Sequence, residues 1–132
     1  MQDEEIERIK AAKLKELQAG KASMELEIKV NDENFQEMVI EQSKKIPVVV
    51  DFWAAWCTPC LMLGPTLEKL VKQFNGKFVL SKLNVNESPR TSAAYSIMSI
   101  PAVKLFKNGE VADQFVGALP EATVLNWLQK NL

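Results

Sequence analysis

The chain has 132 residues, 47% hydrophobic and 25% charged, with a formal net charge of −1. That length predicts one domain able to bury a core, and the balanced charge gives no reason to expect nucleic acid or an anionic membrane as a partner. Histidine is absent, which excludes histidine general bases, histidine-ligated metals and Cys-His proteolysis.

Residues 1–22 read as a charged amphipathic helical extension to a main domain spanning residues 23–132. Ile6, Ile9, Leu14 and Leu17 share a broad face, acids (Asp3, Glu4, Glu5, Glu7) precede bases (Lys10, Lys13, Lys15), and Gly20 offers a stop. The extension is expected either to rest solvated on the domain or to bind a partner or a second copy. It has no apolar core of the kind a secretory signal carries. The longest apolar run, residues 46–57, is too short to span a bilayer and contains Asp51. The cytoplasm is the expected compartment, where a permanent structural disulfide is disfavoured.

From Glu25, "ELEIKV" alternates like a half-buried strand. Asn31 or Asp32 then suits the cap of a helix that turns Phe35, Met38 and Val39 inward. "IPVVVDFW" is a near-continuous apolar run, the pattern of a central strand covered on both faces. A helix is predicted over residues 59–74, closed by Asn75-Gly76 and kinked by Pro65. "KFVLSKLNV" is a second central-strand candidate. A short helix over residues 88–95 follows, with Ser88 as a possible cap and Pro89 in its first turn. "AVKLF" and "VADQFV" flank Asn108-Gly109, a strong type I′ hairpin signal, and the last helix places Val124, Leu125, Leu128 and Leu132 on one face. This order predicts an α/β fold, one mixed sheet with helices on both sides.

The only two cysteines lie in "WAAWCTPC" at the strand-to-helix junction. At i, i+3 on a first helical turn, their Cβ atoms are about 5–6 Å apart, within reach of a reversible disulfide. So short a loop removes little chain entropy, which weighs against a structural staple. Half a zinc site is the other reading of CxxC. With no histidine and no second pair, it would need another subunit to complete four ligands. Thr58 suits the N-cap and Pro59 the first helical position, which puts Cys57 just outside the helix, where unpaired N–H groups favour thiolate. Cys57 is thus expected to be the exposed nucleophile and Cys60, one turn in, the resolving thiol.

Asp51 is a carboxylate inside an apolar run. Burial would raise its pKa and suit it to accept the Cys60 proton, whereas a structural role in a turn or pair is the alternative. Lys82 is its natural partner if the strands are neighbours, and otherwise a snorkelling surface lysine. Trp53 and Trp56 are either core and rim residues or, beside the thiols, a platform for a substrate peptide.

Together, "VVVDFWAAWCTPC", "LGPTLEKL", "KLNVNESP", "SIPAVKLFKNGE" and "FVGALP" strongly resemble the thioredoxin family, from about Glu25 to Leu132. The resemblance implies a thioredoxin fold, a central five-stranded mixed sheet flanked by helices. It implies a protein-disulfide reductase working by dithiol-disulfide exchange, with Cys57 the nucleophile, Cys60 the resolving residue, Asp51 the proton acceptor and Lys82 beside it. Pro101 matches the family's cis-proline, leaving the Ile100 backbone to pair with substrate. Trp56, Thr58, Pro59 and Gly117 complete the implied substrate-binding surface, and Pro65 and Gly109 also match family positions. Three departures stand out: Thr58 replaces the usual glycine, Leu61 the usual lysine after Cys60, and Ala102 the common threonine after the proline. No metal is expected, because the chain has no histidine and no second cysteine pair, and no cofactor, because it has no Gly-rich nucleotide fingerprint. The expected partners are disulfide-containing proteins and a separate reductase, with the chain itself a monomer. The rival readings are an oxidase or isomerase on the same fold, and an interaction module acting through the leading helix.

Overall fold

Residues 27–132 are described by a computed structural model; the expected leading helix and the first residues of the expected first strand lie outside them. The five strands are β1 (Glu27–Val30), β2 (Val48–Trp53), β3 (Val79–Asn84), β4 (Ala102–Lys107) and β5 (Glu110–Val116). They form one sheet in the order β1-β3-β2-β4-β5. β3 runs parallel to both β1 and β2, while β4 is antiparallel to β2 and β5. The apolar run therefore occupies the centre, and Val48, Val49, Val50 and Phe52 are fully buried.

Successive strand residues point to opposite faces, so this central strand feeds two cores. Val49 joins Leu80, Val103 and Leu105 beneath helix α1 (Thr58–Gln73) and helix α3 (Glu121–Asn131). Val48, Val50 and Phe52 pack on the other side with Phe35 and Val39. Burying each such side chain contributes roughly 1.5–3 kcal/mol. Phe35 and Val39 come from a helical segment that is π-wound over Gln36–Glu41 and tightens to 3₁₀ over Gln42–Lys44. Asn31 holds its start, with Oδ1 accepting from the Glu33 and Asn34 N–H groups at 2.9 and 3.1 Å.

Asp32 does something else. It reaches the start of helix α2 (Pro89–Ala94), accepting from the Arg90 and Thr91 N–H groups at 3.1 and 2.8 Å and from the Thr91 hydroxyl at 2.7 Å. Ser88, the expected cap, makes no side-chain capping bond, and its hydroxyl is buried without a partner among the described residues. A carboxylate from across the fold has taken its place because it satisfies two orphan N–H groups at once. The last helix also differs from expectation. Trp127 is buried, with its ring edge-on to Phe115 at 4.9 Å, whereas Leu132 stays exposed at the chain's end. The hairpin turn is as expected, with Asn108 and Gly109 both at positive φ (55° and 84°).

Candidate active site

β2 ends at Trp53, and five residues later the chain enters α1 at Thr58. Cys57 and Cys60 are disulfide-bonded there, with Cα atoms 5.3 Å apart. Cys57 itself is the N-cap, and its Sγ accepts the Cys60 N–H at 3.2 Å. Thr58, expected at the cap, is the first residue of the helix instead, and Thr58 and Pro59 are both exposed. Burial is also tighter than expected. In this disulfide state Cys57 is 5% exposed and Cys60 3%, both packed with Ala54 against Trp53, Val85 and Ile100.

Trp56 is 69% exposed, its indole fixed by donation from Nε1 to Asn86 Oδ1 at 2.8 Å. Leu61 and Met62 follow Cys60 on α1 and are exposed as well. Across the site, the Ile100-Pro101 peptide is cis and Pro101 is buried. The Gly117 N–H donates to the Pro101 carbonyl at 2.8 Å, with Gly117 at φ 101°, a conformation that suits glycine. Met98, at 92% exposure, precedes that proline, and exposed Val116 is paired with Ala102 just after it. Exposed apolar side chains thus lie on the elements to either side of the disulfide. Met62, Met98 and Asn86 were not singled out by the sequence, where a methionine in a helix or loop carries no chemical signal.

Asp51 lies inside β2, 1% exposed. Val49 faces α1, so strand alternation turns Asp51 to the same side. Burial raises its carboxyl to about 7; Lys82 pulls the value down and Glu68 pushes it up. Lys82 is its direct neighbour in the parallel β2–β3 register. The Lys82 ammonium, however, is ion-paired with Glu68 of α1 rather than with Asp51. Asp51 Oδ1 has no hydrogen-bond partner among the described residues. Glu68 is therefore part of the site's charge arrangement, and "PTLEKLVK" offered no sign of it beyond an ordinary helix glutamate.

Comparison with known proteins agrees with this geometry. The family model described as Thioredoxin matches residues 27–130. The chain is 46% identical over 101 residues to "Thioredoxin 2" of Chlorobaculum tepidum, covering 76% of this chain and 91% of that protein. It is 43% identical over 103 residues to the thioredoxin of Synechocystis, covering 78% and 94% respectively. A match to "Thioredoxin M-type, chloroplastic" of Pisum sativum is 46% identical over 114 residues, 86% of this chain but 64% of the pea protein. Among the described residues no helix is long and apolar enough to cross a membrane. With a five-stranded sheet in this order and a close cysteine pair at the start of α1, the chain belongs to the thioredoxin family as a thioredoxin-type redox protein.

Proposed function

We propose that the chain is a protein-disulfide reductase in which Cys57 attacks, Cys60 resolves and Asp51 accepts a proton. The observation that carries this reading is the Cys60 N–H directed at Cys57 Sγ from the start of α1. Once the pair is reduced, that N–H and the helix's positive end stabilise a Cys57 thiolate. The thiolate attacks one sulfur of a substrate disulfide; that S–S bond breaks, a mixed disulfide forms, and a substrate thiolate leaves. The Cys60 thiol then passes its proton to the Asp51 carboxylate. Cys60 sulfur attacks Cys57 Sγ, the mixed disulfide breaks, and the second substrate thiolate departs. Two electrons have moved from the dithiol to the substrate, and the chain is left in its disulfide form.

The reductant direction is supported by what surrounds the pair. Thr58, Pro59, Leu61 and Met62, early in α1, add no cation to stabilise the reduced thiolate further. A couple whose reduced form is not over-stabilised donates electrons rather than taking them. Trp56, Ile100, Pro101 and Gly117, with Thr58 and Pro59, form the surface on which a substrate strand lies, and Lys82 acts on Asp51 through its charge. A separate thioredoxin reductase-type donor returns the pair to the dithiol. The working unit is residues 23–132, as a monomer in the cytoplasm, with residues 1–22 an appendage; relatives whose names place them in chloroplasts serve a compartment of their own.

Incubation with a glutathione buffer poised at about −200 mV tests the direction. A reductant's couple lies below the buffer's potential, so the pair stays mostly oxidised, while the chemically reduced chain reduces a protein disulfide. Complete reduction by glutathione alone would assign the chain to the oxidase or isomerase class instead.

A further inference from the structure

Three ionisable side chains from separate elements act on one another beneath α1. Asp51 in β2 and Lys82 in β3 are directly opposed in a parallel ladder, so register alone offers the ammonium to the acid. The ammonium goes elsewhere. Lys82 Nζ is bound by Glu68 Oε2 beside Gly64, where an added Cβ would stand 3.4 Å from Nζ and 4.0 Å from Oε2. Gly64 therefore leaves the space in which the two charges meet. The pair straddles the boundary between core and solvent, its side chains 22% and 35% exposed. Asp51, almost wholly buried, keeps a carboxyl oxygen with no partner among the described residues. Leaving such an oxygen unsatisfied costs about 1–3 kcal/mol, so an arrangement that diverts the nearest cation from it calls for a reason.

We propose that Glu68 is a positioning residue for the redox pair: it holds the Lys82 ammonium at the solvent boundary and so denies Asp51 a close cationic partner. The inference rests on Asp51 being the acceptor of the Cys60 proton. A carboxylate locked against an ammonium is a poor base, because the cation stabilises the charged form and opposes protonation. Held away from the cation, the buried acid can both take and release a proton near neutral pH. The charged groups acting on Asp51 are Lys82 from β3 and Glu68 from α1. Its β4 neighbour is Val103, which carries no charge. Glu68 thus has two separable effects, a direct repulsion and its grip on Lys82.

A titration of the Asp51 carboxyl carbon by NMR separates them, using the oxidised full-length chain, in which no thiol titrates. E68Q, K82M and the double variant are compared with wild type. Both positions are partly exposed, so the variants keep the fold. E68Q should lower the Asp51 midpoint from about 7 to about 6 or below, the movement expected when an opposite charge comes within roughly 4–6 Å. K82M should raise it, and in the K82M background E68Q should have only a small remaining effect. If E68Q leaves the midpoint in place, or moves it equally with and without Lys82, the positioning role is overturned. Protein-disulfide turnover measured on the same wild-type preparation keeps the two readings apart. Turnover without the E68Q shift sinks the role of Glu68 alone, whereas absence of turnover sinks the reductase reading whatever Asp51 does.

Discussion

Replacing Asp51 by asparagine keeps the shape of the side chain and removes its ability to ionise. In the folded chain this carboxyl titrates at about 7 rather than the ordinary 3.8, chiefly because it is buried. Between those values the unfolded chain has already lost the proton that the folded chain retains. The folded state binds more protons there, so wild-type stability falls as pH rises through that window and levels off above it. The interval from 3.8 to about 7, at about 1.4 kcal/mol per pH unit, amounts to about 4 kcal/mol. This is a large share of the roughly 5–15 kcal/mol that holds a domain together. Asp51→Asn should therefore gain on wild type by about 2 kcal/mol near pH 5.5 and by about 4 kcal/mol near pH 8, both relative to its standing at about pH 3.5. Urea unfolding of the oxidised proteins across that range measures the difference directly, since contributions from other groups largely cancel. A difference that stays level with pH would refute the reasoning, because it would mean that Asp51 does not bind its proton more tightly when folded.

The remaining expectations concern other links in the structure. Cys57→Ser should abolish disulfide turnover, whereas Cys60→Ser should stop at a mixed disulfide visible by mass spectrometry; equal trapping by both would overturn the roles assigned to them. Asp32→Ala should lower the urea midpoint and speed amide exchange in α2 while leaving turnover intact, because it strips the Arg90 and Thr91 N–H groups of their acceptor. Burial pushes the Asp32 carboxyl up, but donors from Thr91 and Arg90 outweigh it and hold the value below 3.8. That cap is accordingly complete above the ordinary carboxylate range and lost as pH falls through the lowered value. Removing residues 1–22 should leave the thermal midpoint and turnover of the domain unchanged, and a loss of either would make the extension part of the working unit.

What could be read in advance followed from local pattern. "VVVDFW" announced a strand covered on both faces, and it is the central strand of the sheet. Asn108-Gly109 announced a turn with two positive φ angles, and both are found. Asp51 drew attention because a charge inside such a run has to be accounted for. The readings that missed depended on partners far away in the chain. Asp32 lies 58 residues before Arg90, so its capping of α2 could not be told from capping its own helix. Trp127 is buried through Phe115 of β5, a contact that no helical period reveals. Glu68 looked like any solvent-facing glutamate until the parallel register of β2 and β3 brought Lys82 beneath α1.

The N-cap shows how the spacing of the two cysteines and their chemistry are one matter. Sequence preference favours a hydroxyl at the start of a helix, which drew the expected cap to Thr58. The backbone places the cap one residue earlier: Cys57 is extended (φ −95°, ψ 103°) while its carbonyl already accepts the Leu61 N–H at 3.2 Å, and Pro59, which has no N–H, leaves no donor unpaired at its place in the first turn. An N-cap side chain serves the donor two or three residues ahead, and three residues before Cys60 stands Cys57. Its sulfur fills the place and accepts that bond at 3.2 Å. The same contact that satisfies the helix end points a donor at the sulfur that, in the mechanism proposed above, carries negative charge in the reduced chain. Two intervening residues thus put Cys60 at once within reach of the disulfide and in the position whose N–H meets its partner's sulfur. A one-residue change in spacing would move the donor off the sulfur as well as lengthen or shorten the ring.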